Sequence, residues 1–314
     1  MSGTDDIVAQ ARMMFCASCG KSELDDVKLM DCADCKSVRY CSDVCKKDHW
    51  PEHEEKCKER AVVLREELLF RQPENTHLGD CPICCLPLPI EKNKSSLLPC
   101  CSKVICGGCA YAHETRQWDG NRQRLVCPFC RHSLPDTREE ENIRKLMKRV
   151  AANDPIAMRK MGVIHFHRKE FDAAFESWTK ATESGDVGAH YNLSLLYSEG
   201  QGVEKDEKKE IFHLEEAAIA GHPTARNNLA FHEGENGRIE RAVKHLIIAA
   251  NLGFDESMAA LKEYYKEGLV SKEDFAAALR AHHAAVKAMK SPQREAAQKC
   301  LNEYKERVGR PSKW

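Results

Sequence analysis

Cysteine sulfur is the chemistry this chain carries in quantity, and its placement is uneven. Of 17 cysteines in 314 residues, 16 fall between Cys16 and Cys130 and only Cys300 lies outside. Four ligand pairs come first: Cys16 with Cys19, Cys32 with Cys35, Cys41 with Cys45, and His53 with Cys57. Such short spacings let both members of a pair reach one ion, and four ligands complete the tetrahedral shell that zinc prefers. The eight ligands therefore make two sites, with alternate pairs sharing an ion. The first takes Cys16, Cys19, Cys41 and Cys45; the second takes Cys32, Cys35, His53 and Cys57. That arrangement cross-braces a segment too short to build a core of its own. Buried cysteines without metal would have no reason to fall at these spacings. A second block follows, with Cys81 and Cys84, Cys106 and Cys109, and Cys127 and Cys130 as three further CxxC pairs.

Residues 16–57, ending RYCSDVCKKDHWPEHEEKC, resemble the MYND finger at every ligand position. The resemblance implies a peptide-binding module, often for short proline-containing motifs. Arg39, Tyr40 and Trp50 are its candidate surface residues, the alternative being that Trp50 packs the terminal helix onto the finger. Residues 78–134 resemble a RING finger, in which the first and third pairs share one ion and the second and fourth another. The departure is in the second pair, where Lys103 stands in place of the usual histidine and Cys101 directly follows Cys100. Either Cys100 and Cys101 both ligate with Cys127 and Cys130, which is the favoured reading, or another group such as His113 completes the site. Cys85 is then a non-ligand, expected to pack as a small apolar residue. Three to four zinc ions are expected in all.

In RING ubiquitin ligases three further residues contact the ubiquitin-conjugating enzyme and its thioester-linked ubiquitin. These are an apolar residue inside the first CxxC, a proline inside the last and a basic residue just after it. Here the positions are Ile83, Pro128 and Arg131. The resemblance thus implies a ligase that acts by holding a thioester in reactive geometry, with no nucleophile of its own. Its rival is a non-enzymatic scaffold in which every module binds proteins.

These sites need elements to hold them. The stretch KERAVVLREELLFRQ predicts a connector helix ending before Pro73, and DTREEENIRKLMKRV predicts another that starts on Asp136 or Thr137. From about residue 150 the texture becomes alanine-rich and repetitive. Four rows begin at Asp154, Asp186, His222 and Phe254, a period of about 32 to 36 residues, each continuing into a second helix. A helix pair of this size buries its apolar face only by stacking on its neighbours. Gly185, Gly221 and Gly253 are read as closing second helices in left-handed backbone, and Ala157, Ala189, Ala225 and Ser257 as points of close helix approach. The rows, YSEGQGVEKDEKKEIFHLEEAAIAGH above all, resemble Sel-one-like repeats, relatives of tetratricopeptide repeats. Rows one and four depart from the pattern as end repeats do.

The expected fold class is therefore multidomain: two small zinc-stabilised modules followed by an all-α solenoid of two-helix repeats. The expected divisions are a MYND-type finger at 16–57, a helical connector at 58–77, a RING-like finger at 78–134, a helical linker at 135–150, Sel-one-like repeats at 151–290 and a C-terminal tail at 291–314. With 48 Lys and Arg against 49 Asp and Glu, the net charge of −1 gives no electrostatic case for nucleic acid or a membrane surface. The acidic start MSGTDDIVAQARMM lacks the features of a secretory signal, and no stretch nears the roughly 18 apolar residues of a spanning helix. An intracellular location, cytoplasmic or nuclear, is expected, where thiols stay reduced. Phosphate-loop, dinucleotide-binding and hydrolase motifs are missing, so the expected partners are proteins. Cys300 and the histidines of the repeats, His165, His167, His213, His245, His282 and His283, lack ligand spacing and are read as surface or packing residues.

Overall fold

The computed structural model describes residues 15–23, 27–117, 126–134 and 139–308. They divide into two compact units, 1–71 and 72–314.

The first unit pairs two short strands, β1 (Met30–Asp31) and β2 (Arg39–Tyr40), antiparallel with Met30 opposite Tyr40. Helix α1 (Asp43–Leu69) follows, started by Ser42, whose hydroxyl accepts from the Cys45 N–H at 3.3 Å. One continuous helix carries Cys45, His53 and Cys57 and then runs on through most of the stretch read as a separate connector. It does so across Pro51, whose ring removes one backbone donor. The helix ends ahead of Pro73, as the sequence predicts.

The second unit opens with a hairpin, β3 (Ser95–Leu98) and β4 (Lys103–Cys106), in which Ser95 faces Cys106 and Leu98 faces Lys103. Helix α2 (Gly107–Gln117) follows directly. Cys81, Leu88, Leu98, Ile105, Cys106, Cys109 and Cys127 form the buried cluster of this module, so its few apolar side chains are packed around sulfur. Helix α3 (Glu139–Val150) has acids in its first turn and Lys148 and Arg149 in its last, each sign at the favourable end of the helix dipole. Asp136 and Thr137, the expected caps, lie outside the described residues. Leu146 of α3 packs with Ala157 and Met161 of the next helix.

The repeats follow as four antiparallel pairs: α4 (Pro155–His167) with α5 (Phe171–Glu183), α6 (Val187–Glu199) with α7 (Glu207–Ile219), α8 (Pro223–Glu235) with α9 (Ile239–Asn251), and α10 (Asp255–Lys266) with α11 (Lys272–Ala288). Each second helix from α5 to α9 also packs on the first helix of the next pair, so the apolar faces are buried between pairs. The first helices start alike: Asp154, Asp186 and His222 accept from the N–H three residues on, at 3.1, 2.8 and 3.2 Å. Ala157, Ala189, Ala225 and Ser257 are all fully buried, at the point where these helices meet their neighbours. Gly185, Gly221 and Gly253 have φ of +84°, +84° and +89°, the left-handed closure their positions require. In the last pair α11 leans on α9 as well as on α10, as suits an end repeat.

The segment read as a tail contains a further helix, α12 (Pro292–Val308), which packs on α2. No described helix is long and apolar enough to cross a membrane.

Within the first pair, the Trp178 indole lies over Gly162 and donates to the Arg159 carbonyl at 3.1 Å. A Cβ at Gly162 would sit 2.4 Å from Trp178 Nε1. Gly162→Ala should therefore displace the buried indole and cost about 1–3 kcal/mol, the range for overpacking a filled core. Urea denaturation of the full chain, followed by far-ultraviolet circular dichroism, reads this as a fall in the midpoint of the repeat transition.

Candidate metal centres

The same backbone turn recurs at four of the cysteine pairs. After Cys19, Cys35, Cys84 and Cys130 the next residue is left-handed: Gly20 (φ 74°), Lys36 (φ 51°), Cys85 (φ 54°) and Arg131 (φ 57°). Its N–H donates back to the first cysteine's carbonyl: Gly20 to Cys16 at 2.9 Å, Lys36 to Cys32 at 3.0 Å, Cys85 to Cys81 at 2.8 Å and Arg131 to Cys127 at 3.0 Å. The first cysteine's own N–H is taken by a carbonyl beyond the turn, as in Cys16 to Lys21 at 2.7 Å and Cys81 to Leu86 at 2.9 Å. Each turn thus closes on itself and points both sulfurs the same way. The remaining ligands come from helices, one hairpin and, for Cys41, the bend after β2. His53 and Cys57, four residues apart on α1, share a helix face. Cys100 and Cys101 sit in the β3–β4 turn, where Ser102 at φ 55° and its N–H bond to the Leu98 carbonyl at 2.9 Å make a fifth turn of the same kind. That tight turn lets two adjacent cysteines serve one site.

The result is four quartets, each with its ligand atoms within 4.8 Å of one another: Cys16, Cys19, Cys41 and Cys45; Cys32, Cys35, His53 and Cys57; Cys81, Cys84, Cys106 and Cys109; Cys100, Cys101, Cys127 and Cys130. Among the described residues no other group of this kind occurs. A tetrahedral zinc with Zn–S bonds of ~2.3 Å sets sulfur–sulfur edges of ~3.8 Å. The sulfurs lie 3.5 Å apart in Cys19–Cys41, 3.7 Å in Cys32–Cys57, 3.8 Å in Cys84–Cys106 and 3.7 Å in Cys101–Cys127. His53 presents Nε2, 3.3 Å from Cys35 Sγ. The donor sets and their spacing fit zinc, which when bound cross-links two distant chain segments at each centre.

Ionisation within each quartet is split. In the first, burial opposes ionisation of Cys16, but the N–H groups of Cys19 and Cys41 aimed at its sulfur outweigh it and bring the thiol down to about 6. Hydrogen bonds to the Cys19 and Cys45 thiols push Cys41 up to about 12. In the second, Cys35 is lowered against its burial by the Ser37 hydroxyl and N–H, while burial and the neighbouring Cys32 and Cys35 thiols raise Cys57 to about 12. In the third, Cys81 comes down to about 7 while burial raises Cys106 and Cys109. In the fourth, Cys127 is lowered while burial raises Cys100 and Cys101. In each cluster one thiol is shifted toward the thiolate while at least one neighbour is shifted away from it, as expected of crowded sulfurs that a shared cation would relieve. Burial, then the positive fields of His49 and Lys56, lower His53 and keep its ring in the neutral, ligating form.

Several residues sit elsewhere than expected. His113 does not enter the fourth quartet; its Nε2 lies 2.6 Å from the Val126 carbonyl. Cys85 is exposed rather than packed, because the left-handed turn points it outward. Tyr40 is buried, with its hydroxyl 3.0 Å from His49 Nδ1, and is no surface residue. Arg39 pairs with Glu23 at 2.8 Å and Asp31 at 3.1 Å, and Trp50 packs against the finger core, the alternative named for it. Ile83, Pro128 and Arg131 all lie exposed at two of the turns. Of the histidines in the repeats, burial drives His245 down to about 3 and His213 to about 4, so both are neutral packing groups. His282 pairs with Asp255 at 2.9 Å and His165 with Glu170 at 2.6 Å. Sequence reasoning gave His190 no role, yet its Nδ1 meets that of His213 at 3.0 Å.

Comparison with known proteins agrees with this picture at the front of the chain. Residues 16–57 match the MYND finger family model, with all eight ligands of the first two quartets inside the match. No curated protein matches the chain. Among solved structures, a Sel1 repeat protein from Oxalobacter formigenes is similar, at 29% identity over 47% of this chain and 64% of that one, with a TM-score of 0.41. A protective antigen of uropathogenic Escherichia coli with an SLR fold is also similar, at 25% identity over 47% of this chain and 33% of that one, with a TM-score of 0.40. The chain therefore spans less than two thirds of either relative. The site and the fold define a protein with a MYND-type zinc finger, two further cysteine quartets that could hold zinc, and a stack of helix pairs behind them.

Elemental analysis of protein purified without chelator should give four zinc ions per chain. Cys32→Ala should lose one and unfold the finger, since structural zinc is worth on the order of 10 kcal/mol, while unit 72–314 keeps its helical circular dichroism. The ligating forms are thiolates and neutral imidazole, so zinc-linked stability is present at neutral pH and lost as pH falls. Zinc content that survives at pH 4 would contradict thiolate ligation.

Proposed function

We propose that the protein is a protein-interaction adaptor with Sel1-like repeats and a ubiquitin ligase of the RING type, in which residues 78–134 recruit a ubiquitin-conjugating enzyme and the MYND finger and repeats choose the substrate. One observation carries the reading. The turns that hold two of the zinc quartets present apolar side chains to solvent, Ile83 at 43% and Phe129 at 38% exposure, whereas the other large apolar residues described in the module are buried or half-buried. Apolar tips on a rigid, metal-locked loop are what a docking surface needs, because little conformational entropy is lost on binding. Pro128 stiffens the second turn, and Arg131 follows it in left-handed backbone, its side chain exposed. The four ligand pairs of this module combine first with third and second with fourth, the order that the RING resemblance implies. We assign the protein to the inside of the cell, where its thiols stay available to zinc.

Wild-type protein should speed discharge of ubiquitin from at least one conjugating enzyme in a panel. Ile83→Ala should weaken docking by roughly 2 kcal/mol, as loss of an apolar anchor does. Arg131→Ala should slow discharge more than it weakens docking, because a cation there would steady the bound thioester. Neither change touches a zinc ligand, so zinc content should hold. Absence of discharge with every enzyme tried would leave the scaffold reading in its place.

A further inference from the structure

The segment read as a tail reaches back into a metal centre. Just ahead of helix α12 the Ser291 hydroxyl accepts from the Arg294 N–H at 3.3 Å, and Arg294 leaves the first turn of the helix toward the third quartet. Its Nη2 donates to Cys84 Sγ at 3.4 Å, across 210 residues of sequence, and to the Leu86 carbonyl at 3.2 Å. Its Nη1 donates to the carbonyls of Pro87 and Met289, both at 2.7 Å. One guanidinium thus ties together the zinc turn, the residue that ends α11, and α12 itself.

The chemistry of the quartet explains why a cation belongs there. Four thiolates around one divalent zinc leave about two negative charges in excess, which must be met by nearby donors. Two of the sulfurs are served by backbone: Cys81 accepts from the Cys106 N–H and Cys106 from the Cys109 N–H, both at 3.4 Å. Cys84 receives the guanidinium, a weakly hydrated cation whose forked donors reach a sulfur and a carbonyl together. The close approach is built in from the other side as well. At Gly108, between the ligands Cys106 and Cys109, a Cβ would lie 2.8 Å from the Arg294 backbone nitrogen. Any side chain at that position would push α12 off the zinc loop.

We propose that Arg294 is a positioning residue of the third zinc centre, holding the Cys84 thiolate in its ligating orientation and offsetting the charge of the four-thiolate site, so that α12 is part of the metal module. The inference rests on zinc at this quartet and is independent of ligase activity.

The test uses the full zinc-loaded chain and a chromophoric chelator, 4-(2-pyridylazo)resorcinol, to time the release of each ion. Arg294→Ala should release one ion at least about tenfold faster than wild type, the scale of losing a partner outside the ligand shell, while the other three leave at unchanged rates. Arg294→Lys should recover part of the difference, since it keeps the charge and loses the fork. With cobalt in place of zinc, the sulfur-to-metal charge-transfer band should shift in Arg294→Ala, a signature that a purely mechanical clamp would not move. Cys84→Ser should remove the fast ion, so the Cys84→Ser, Arg294→Ala double variant should show no fast phase. Unchanged release from Arg294→Ala would overturn the proposal, as would equal acceleration of all four ions, a fast phase that persists in the double variant, or wild-type zinc content in Cys84→Ser.

Discussion

Four sulfur ligands brought within 4.8 Å of one another make a stable arrangement only around a cation, and the front of this molecule is organised by that constraint. Thiolates repel, and thiols at these distances satisfy one another poorly. The local structure of the chain makes the crowding tolerable: backbone N–H groups point at the sulfurs of Cys16 and Cys81, and a neutral His53 replaces a fourth thiolate in the second quartet. The largest described apolar clusters of both modules are built around these cysteines. A short segment with few apolar residues folds because its metal supplies the energy that burial does not.

The repeats follow a different physics. Their cohesion comes from alanines and serines with no exposed surface, which let helices approach closely, and from caps that recur at the same place in successive rows. The row starting at His222 keeps the cap with an imidazole in place of a carboxylate, so the backbone geometry is retained while the chemistry of the cap changes. Phe254, at the same position in the last row, makes no side-chain cap at all, and there the helix pair also packs less regularly.

Ligand quartets and row boundaries were legible in sequence because both are local patterns. A CxxC places its two sulfurs whatever surrounds it, and a small residue recurring with the period of the rows marks one helix face. What was illegible depends on contacts between distant segments. The sequence around Tyr40 does not show that its ring will be buried against His49 and His53, nor does the Cys85 side of the first RING-like pair show that a left-handed turn will expose it. The fourth quartet was open between two ligand sets for the same reason. The hairpin turn at Leu98 to Ser102 decides it, and no spacing rule describes two adjacent cysteines sharing an ion.

Arg294 is the extreme case of this limit. Nothing in QREAAQKC marks an arginine that completes a metal site formed some two hundred residues earlier, because its role is created by docking and not by its neighbours in sequence. One trace was available: the pair Cys106 and Cys109 encloses two glycines, although only the second, Gly108, is required by the approach of another helix. Gly107 faces the Lys94 carbonyl, where a Cβ would come to 3.3 Å. Two consecutive glycines do nothing by propensity to favour a helix start. At Gly108 the reason is packing: the helix begins directly on a zinc ligand, and its close approach to α12 leaves no room for a Cβ.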